Sequence, residues 1–151
     1  MRDPVAKALQ AAAPRLPGSG APAPARVKRI VLVDASPLYA EAWRAVFAAR
    51  FGPAVAFEAY TDPLEALPRL GEDVSLLMVD LELPLFGGRK LLELAKQRGV
   101  SGRRCVILSE RPAEDLHALF PQEACLAVIN KSEPQQQNAF LMILDSIVKR
   151  H

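Results

Sequence analysis

Residues 76–88 read LLMVDLELPLFGG, and this stretch decides the fold. Its first four residues are apolar and lead directly into Asp80, as in a parallel strand that is buried on both faces. Pro84 and the Gly87 and Gly88 pair then interrupt regular structure, so residues 81–87 are predicted to form a loop. The stretch therefore predicts a buried strand that carries a carboxylate at its carboxyl end.

Three other apolar runs end beside a reactive polar side chain. Residues 30–33 lead into Asp34, residues 105–108 lead into Ser109, and residues 126–129 stop two residues before Lys131. Neighbouring parallel strands end at one edge of their sheet, and open α/β sheets bind ligands at that edge. We therefore expect two carboxylates, a hydroxyl and an ammonium to converge. Each residue alone has a simpler explanation, such as a helix cap or a solvated charge.

Strand-like and helix-like segments alternate from residue 28 onward, which predicts a parallel sheet covered on both faces. The predicted strands are 30–34, 55–60, 74–80, 104–109 and 125–130. The predicted helices are 37–49, a short helix capped by Thr61 or Asp62 and running through Leu70, then 89–98, 113–120 and 135–149. Helical spacing predicts buried faces in the first and last helices. These faces are Leu38, Ala42, Ala45, Val46 and Ala49, and then Phe140, Ile143, Leu144 and Ile147.

Composition separates the amino-terminal part from the rest. Residues 1–27 contain five prolines and two glycines, and their apolar residues are mostly alanine, so we interpret them as a flexible extension of a domain at 28–151. Within that extension, residues 5–13 would form a helix only against a partner surface. Residues 1–29 hold six basic residues and one acidic residue, so residues 30–151 carry a net charge of −3. A mildly acidic domain argues against direct binding of nucleic acid.

The two cysteines, Cys105 and Cys125, begin apolar runs and lack a metal-binding spacing, which favours buried thiols in a reducing cytosol. No apolar stretch reaches the ~18 residues that span a bilayer, and prolines interrupt the amino terminus where a secretory signal would be apolar. We therefore expect a cytoplasmic protein without membrane insertion.

Residues 28–149 resemble the receiver domain of bacterial two-component response regulators, the CheY-like family. The resemblance rests on IVLVDASPLYAEAWRAVF (30–47), LLMVDLELPLFGG (76–88), VILSERP (106–112) and AVINKSE (127–133). Its most specific element is the Asp-x-x-x-Pro-x-x-x-Gly spacing of Asp80, Pro84 and Gly88. The resemblance implies a flavodoxin-like (βα)5 doubly wound sandwich with a five-stranded parallel sheet in the order 2-1-3-4-5.

The resemblance also implies a chemistry for the converging residues. Asp80 would accept a phosphoryl group from a histidine kinase or phosphotransfer protein, while Lys131 and the Ser109 hydroxyl would bind phosphoryl oxygens. Mg²⁺ would bind Asp34, Asp80 and the backbone carbonyl of Glu82. Such a domain is a signalling switch and not an enzyme. The histidines, His117 and His151, match no ligand spacing and are not expected to be catalytic.

Three positions depart from the family pattern. Ala35 stands where receivers usually carry a second metal-binding acid, so Mg²⁺ binding is expected to be weak or lost. Glu110 stands where a small residue usually admits the phosphodonor, and Val128 replaces an aromatic residue that commonly rotates on activation. The Glu82 side chain either swings inward and compensates in part for Ala35, or pairs with Lys131.

The chain ends at His151, so we expect output through contact with a downstream protein or with a second copy in a homodimer. Five apolar residues of the last two helices either form this interaction face or complete the core: Leu116, Leu119, Phe120, Leu141 and Val148.

Two function hypotheses follow. The first is a single-domain response regulator phosphorylated on Asp80, and the second is a degenerate receiver that binds proteins without phosphorylation. A flavodoxin-like cofactor binder is disfavoured because no phosphate-binding loop rich in Ser, Thr or Gly follows residues 30–33.

Overall fold

Apolar runs form the central strands of the five-stranded parallel sheet, because strands covered on both faces bury side chains in both directions. The computed structural model describes residues 27–119 and 125–149. The strands are β1 (Lys28–Val33), β2 (Val55–Tyr60), β3 (Leu76–Asp80), β4 (Cys105–Ser109) and β5 (Ala127–Asn130). The helices are α1 (Pro37–Phe51), α2 (Pro63–Ala66), α3 (Gly87–Gln97), α4 (Ala113–Leu119) and α5 (Pro134–Lys149). The helix predicted at residues 5–13 lies outside the described residues.

The sheet order is β2-β1-β3-β4-β5, and every neighbouring pair is parallel. The predicted fold class and strand order are therefore confirmed. The register aligns Val33 with Tyr60 on one side and with Val79 on the other. It also aligns Ser109 with Asn130. All five strands consequently end at one edge, where the polar residues that follow them are collected.

Two apolar layers cover the sheet. Helices α1 and α5 pack on one face, where Trp43 and Phe47 meet Phe140 and Leu144. Helices α2, α3 and α4 pack on the other face, which contains Ala66, Leu91 and Leu116 among its buried residues. In the described residues, no helix is long and apolar enough to cross a membrane.

The buried face of α1 differs from the predicted one. The buried residues of this helix are Ala40, Trp43 and Phe47, and the predicted member Leu38 is 83% exposed. Burying large aromatic rings removes more apolar surface from water than burying alanines, so the helix turns its aromatic side toward the sheet. The aromatic rings of α1, and not its alanines, determine its orientation.

The second predicted helix is shorter than expected. Helix α2 is capped by Asp62, whose side chain accepts a hydrogen bond from the Leu64 backbone N–H at 2.9 Å. After Ala66 the chain continues as a 3-10 turn over Leu67–Arg69, which contains Pro68. Proline lacks the N–H that an α-helix requires in its interior, which accounts for the early end.

Of the five residues suggested for an interaction face or for the core, the three with described side chains are buried or half-buried. Leu116 is fully buried, Val148 is buried, and Leu141 is half-buried against the core. Leu116 packs with the apolar residues of α3 and β4, so the core alternative applies to it. The Leu119 side chain and Phe120 lie outside the described positions. On α5 the outward apolar residues are Met142 and Ile143, and Ile143 had been predicted to be buried.

Candidate functional site

The site lies at the carboxyl edge of the sheet, where three of the predicted residues meet. Asp34 follows β1, Asp80 ends β3 and Lys131 follows β5. The Lys131 Nζ atom lies 2.6 Å from Asp34 Oδ2 and 3.4 Å from Asp80 Oδ2. A single ammonium therefore bridges two carboxylates from neighbouring strands, and the predicted convergence of these three groups is present in the fold.

Backbone N–H groups hold the other oxygen of each carboxylate. Asp34 Oδ1 accepts a hydrogen bond from the Ser36 N–H at 2.8 Å, and Asp80 Oδ1 accepts one from the Glu82 N–H at 3.0 Å. Both contacts span two residues and are typical of aspartate at the start of a turn. The turns after β1 and β3 thus orient both acids toward Lys131.

Gly88 explains the final glycine of the Asp80 motif. Its N–H donates a hydrogen bond to the Leu81 carbonyl at 3.0 Å, so the start of α3 packs directly on the end of β3. A Cβ atom on Gly88 would lie 2.8 Å from Leu81 Cα and would overlap the Asp80 carbonyl oxygen. Its φ is not positive, so space and not backbone conformation requires glycine here.

Burial and mutual charge shift the ionisation of this cluster. Asp34 is 1% exposed and Asp80 is 7% exposed. Burial and the Asp34 charge raise the pKa of Asp80, although the Glu82 N–H and Lys131 act in the opposite direction. Burial lowers the pKa of Lys131, but Asp34 and Asp80 raise it by more. The pKa of the ammonium is therefore raised. Lys131 is therefore charged at pH 7 beside the two acids.

Ser109 is fully buried and its hydroxyl is already engaged. The Oγ atom donates to Glu82 Oε1 at 3.0 Å and accepts a hydrogen bond from the Arg111 N–H at 3.0 Å. The Glu82 carboxylate also pairs with Arg111, whose Nε lies 3.2 Å from Glu82 Oε2. Glu82 thus turns toward Ser109 and forms its ion pair with Arg111, whereas Lys131 pairs with Asp34 and Asp80. The alternative pairing of Glu82 with Lys131 is wrong.

Tyr39 also belongs to this site, although it is not among the residues predicted from the sequence. The Lys131 Nζ atom lies 4.4 Å from the centroid of the Tyr39 ring, in cation–π contact. Tyr39 lies in the first turn of α1, just after the Asp34 turn. Its spacing of four residues from Trp43 was a usable signal, because such a pair places both rings on one side of a helix.

The donors available to a metal ion are few. Among the described residues, no group of three Asp, Glu, His or Cys side chains is close enough together to hold one. The Asp34 and Asp80 carboxylates lie together around Lys131, and the family resemblance adds the Glu82 backbone carbonyl to them as an expected ligand. Mg²⁺ often binds one or two carboxylates and keeps several waters, so this all-oxygen set fits that ion with a reduced number of protein ligands.

No family model and no curated protein matches the chain. Solved structures of receiver domains do match it. The signal receiver domain of an HD domain-containing protein from Pseudomonas fluorescens is 20% identical over 86% of this chain and 93% of that one, with a TM-score of 0.67. The response regulator domain of Thermotoga maritima CheB is 20% identical over 81% and 94%, with a TM-score of 0.60. The Mn²⁺-bound form of response regulator Rcp1 is 22% identical over 82% and 96%, with a TM-score of 0.64.

The chain has the receiver-domain fold. On this receiver fold, the three departures noted in the sequence lie around the acidic cluster. Ala35 is exposed beside Asp34 and offers only a methyl group, and Glu110 is exposed immediately after Ser109. Val128 is half-buried on β5 and packs against the core beneath α4. The receiver fold is therefore present, and the effect of these three residues on its acidic edge stays a prediction.

Proposed function

We propose that the protein is a response regulator whose Asp80 accepts a phosphoryl group from a phosphohistidine of a histidine kinase or phosphotransfer protein. The observation that supports this most is the position of Lys131, which lies within ion-pair distance of both Asp34 and Asp80. In the transfer, an Asp80 oxygen forms a bond to phosphorus as the bond to the imidazole nitrogen breaks. The product is an aspartyl phosphate.

The residues around Asp80 have separate roles in this proposal. The Lys131 ammonium offsets negative charge on a phosphoryl oxygen, and the Ser109 hydroxyl donates to another once Glu82 has left it. The Glu82 N–H fixes the orientation of the Asp80 carboxylate. Asp34, Asp80 and the Glu82 carbonyl would hold Mg²⁺, which supplies positive charge to the phosphoryl group when it is bound. The Mn²⁺-bound relative supports a divalent cation in receivers of this fold.

Exposed leucines at the carboxyl edge support docking of a protein donor. Leu38, Leu64 and Leu85 are 83%, 56% and 72% exposed. Each follows a proline, and each lies just beyond the end of β1, β2 or β3. Because these three strands are neighbours, the leucines add apolar surface to the same edge of the sheet as the acidic cluster. A donor protein that covers this edge would bury them.

A second apolar surface lies on α5, where Met142 and Ile143 are exposed. A downstream partner or a second copy of the chain would bind there.

The second candidate is a degenerate receiver that binds a partner without phosphorylation. Two observations favour it: Ala35 removes a metal ligand, and Glu82 occupies the Ser109 hydroxyl. A binding module needs the fold and a docking surface but not the transfer chemistry. The two candidates therefore differ in whether Asp80 becomes modified.

Incubation with acetyl phosphate and Mg²⁺, followed by intact-mass measurement, tests the proposal. We expect the wild type to gain one phosphoryl group and Asp80→Asn to gain none. Asp62→Asn is the matched control, because the Asp62 side chain caps α2 at the Leu64 N–H and asparagine caps a helix equally well. Ala35→Asp adds the missing carboxylate and is expected to raise Mg²⁺ affinity and the rate of labelling. An unmodified wild type that also fails to bind beryllofluoride would leave the binding module.

Glu82→Ala is expected to speed labelling of Asp80 about 2- to 10-fold, because it frees the Ser109 hydroxyl from one hydrogen bond. The residue is exposed and its backbone contacts remain, so folding should be unaffected. Glu65→Ala provides the comparison, since it removes one negative charge from the first turn of α2 without contacting Ser109. Equal acceleration in both variants would mean that net charge, and not the Ser109 contact, limits the reaction.

A further inference from the structure

The contact between Lys131 and Tyr39 links the acidic cluster to α1. Lys131 follows β5, whereas Tyr39 belongs to the helix that follows β1. The ammonium lies 4.4 Å from the ring centroid, and the Lys131 side chain is only 15% exposed. A cation that is partly removed from water gains more from an aromatic face than an exposed one does. The contact is therefore stronger than one made by a fully exposed lysine.

The Tyr39 ring is a fixed surface and not a mobile cover. It packs edge-on against Trp43, with ring centroids 6.4 Å apart and an interplanar angle of 82°. Trp43 is in turn stacked on Phe47 at 5.3 Å and meets Phe140 edge-on at 5.9 Å. This row of rings lies in the core between α1, α5 and the sheet. Packing of the row fixes the ring that faces Lys131.

The ring face, and not the hydroxyl, makes this contact. The Tyr39 hydroxyl oxygen is buried and has no hydrogen-bond partner within 27–119 and 125–149. Burial also raises the pKa of Tyr39, so the phenol is neutral at pH 7 and attracts Lys131 through its π face. A phenylalanine at this position would keep the same interaction.

We propose that Tyr39 is a positioning residue for Lys131, and that its ring face holds the ammonium between Asp34 and Asp80. Lysine is a long side chain with a compact charge, so without a third contact it would have more positions available around two carboxylates. Asp34 and Asp80 attract the ammonium from two sides, and the ring limits it on another. The effect of this position on phosphorylation of Asp80 rests on the proposed function. The position of Lys131 against the Tyr39 ring is independent of that function.

The placement is tested by NMR on Lys131. Protons above an aromatic face are shifted upfield, so the ε-methylene protons of Lys131, assigned by their loss in Lys131→Met, should lie upfield of those of exposed Lys90. We expect the upfield shift in the wild type and in Tyr39→Phe, and we expect it to disappear in Tyr39→Leu. A wild-type Lys131 with the same shift as Lys90 would overturn the proposal, and this outcome does not depend on whether any variant is phosphorylated.

Labelling of Asp80 by acetyl phosphate tests the consequence for chemistry. Tyr39→Phe should label within about twofold of the wild type, and Tyr39→Leu should label about 2- to 30-fold more slowly, the range expected for a cation–π contact. A purely structural role would slow neither variant once both are shown to fold. Equal slowing of both variants would assign the effect to the hydroxyl and contradict the proposal. If the wild type is not labelled, the proposed function fails, while the NMR shift still decides the position of Lys131.

Discussion

Gly88→Ala is expected to lower the free energy of unfolding by about 3 kcal/mol, the upper part of the range for overpacked sites. The added methyl group would overlap the Asp80 carbonyl oxygen and lie 2.8 Å from Leu81 Cα. These are backbone atoms at the end of a buried strand, so they cannot move aside as a flexible side chain can. For a domain of this size the melting temperature should fall by about 10 °C.

Chemical denaturation and thermal melting measure this effect, and Gly71→Ala provides the matched control. A Cβ atom on Gly71 would meet its nearest neighbour, a side-chain oxygen of Asp73, at 3.5 Å, which is an ordinary contact. This control should change stability by less than about 0.5 kcal/mol. If Gly88→Ala were equally mild, the start of α3 could not pack on the end of β3 as described. In that case the Asp80 motif would need another explanation.

Lys131→Met is expected to destabilise the protein by about 3–5 kcal/mol at pH 7, because it leaves two buried carboxylates without their shared cation. It should also abolish labelling of Asp80 by acetyl phosphate, since no positioned ammonium would offset charge on the phosphoryl group. Lys131→Arg keeps the charge and should lose less stability. The double variant Asp34→Asn with Lys131→Met should recover part of the loss.

The stability loss in Lys131→Met should depend on pH in a defined direction. Burial raises the pKa of Asp80 in the folded protein, so ionisation of this group costs stability as pH rises from the ordinary carboxyl pKa through the raised one. Lys131 lowers that pKa, and its removal raises it further. The difference in free energy of unfolding between the wild type and Lys131→Met should therefore be small near pH ~4. It should reach its largest value near pH ~8. Urea titrations at both values measure it, and a difference independent of pH would exclude uncompensated carboxylates as the cause.

The strands and the edge that they share could be predicted because both follow from continuous apolar runs. A parallel strand buried on two faces must be apolar at every position, so Leu76–Asp80 and Cys105–Ser109 stand out in the sequence. Each polar residue at the end of a run then falls at the same edge. The meeting of Asp34, Asp80 and Lys131 follows from this rule together with the strand order.

Side-chain partners were harder to predict because they depend on rotamers and on helix rotation. Helix α1 has apolar residues on more than one side, and the aromatic side is buried only because large rings remove the most surface from water. That rotation brings Tyr39 under Lys131. The spacing of Tyr39 from Trp43 indicates a shared side of the helix, but it does not indicate that Lys131 lies there. The contact of Glu82 with Ser109 likewise requires both side chains to turn toward each other across neighbouring strands.

The aromatic row behind Lys131 gives the protein a built-in optical probe. Trp43 is the only tryptophan in the sequence, and it packs edge-on against the ring that supports the ammonium. The emission of an indole responds to the polarity and charge of its surroundings. Its intensity or wavelength can therefore report movement of Lys131, so occupancy of the acidic edge can be followed in unlabelled protein, in real time and by fluorescence alone.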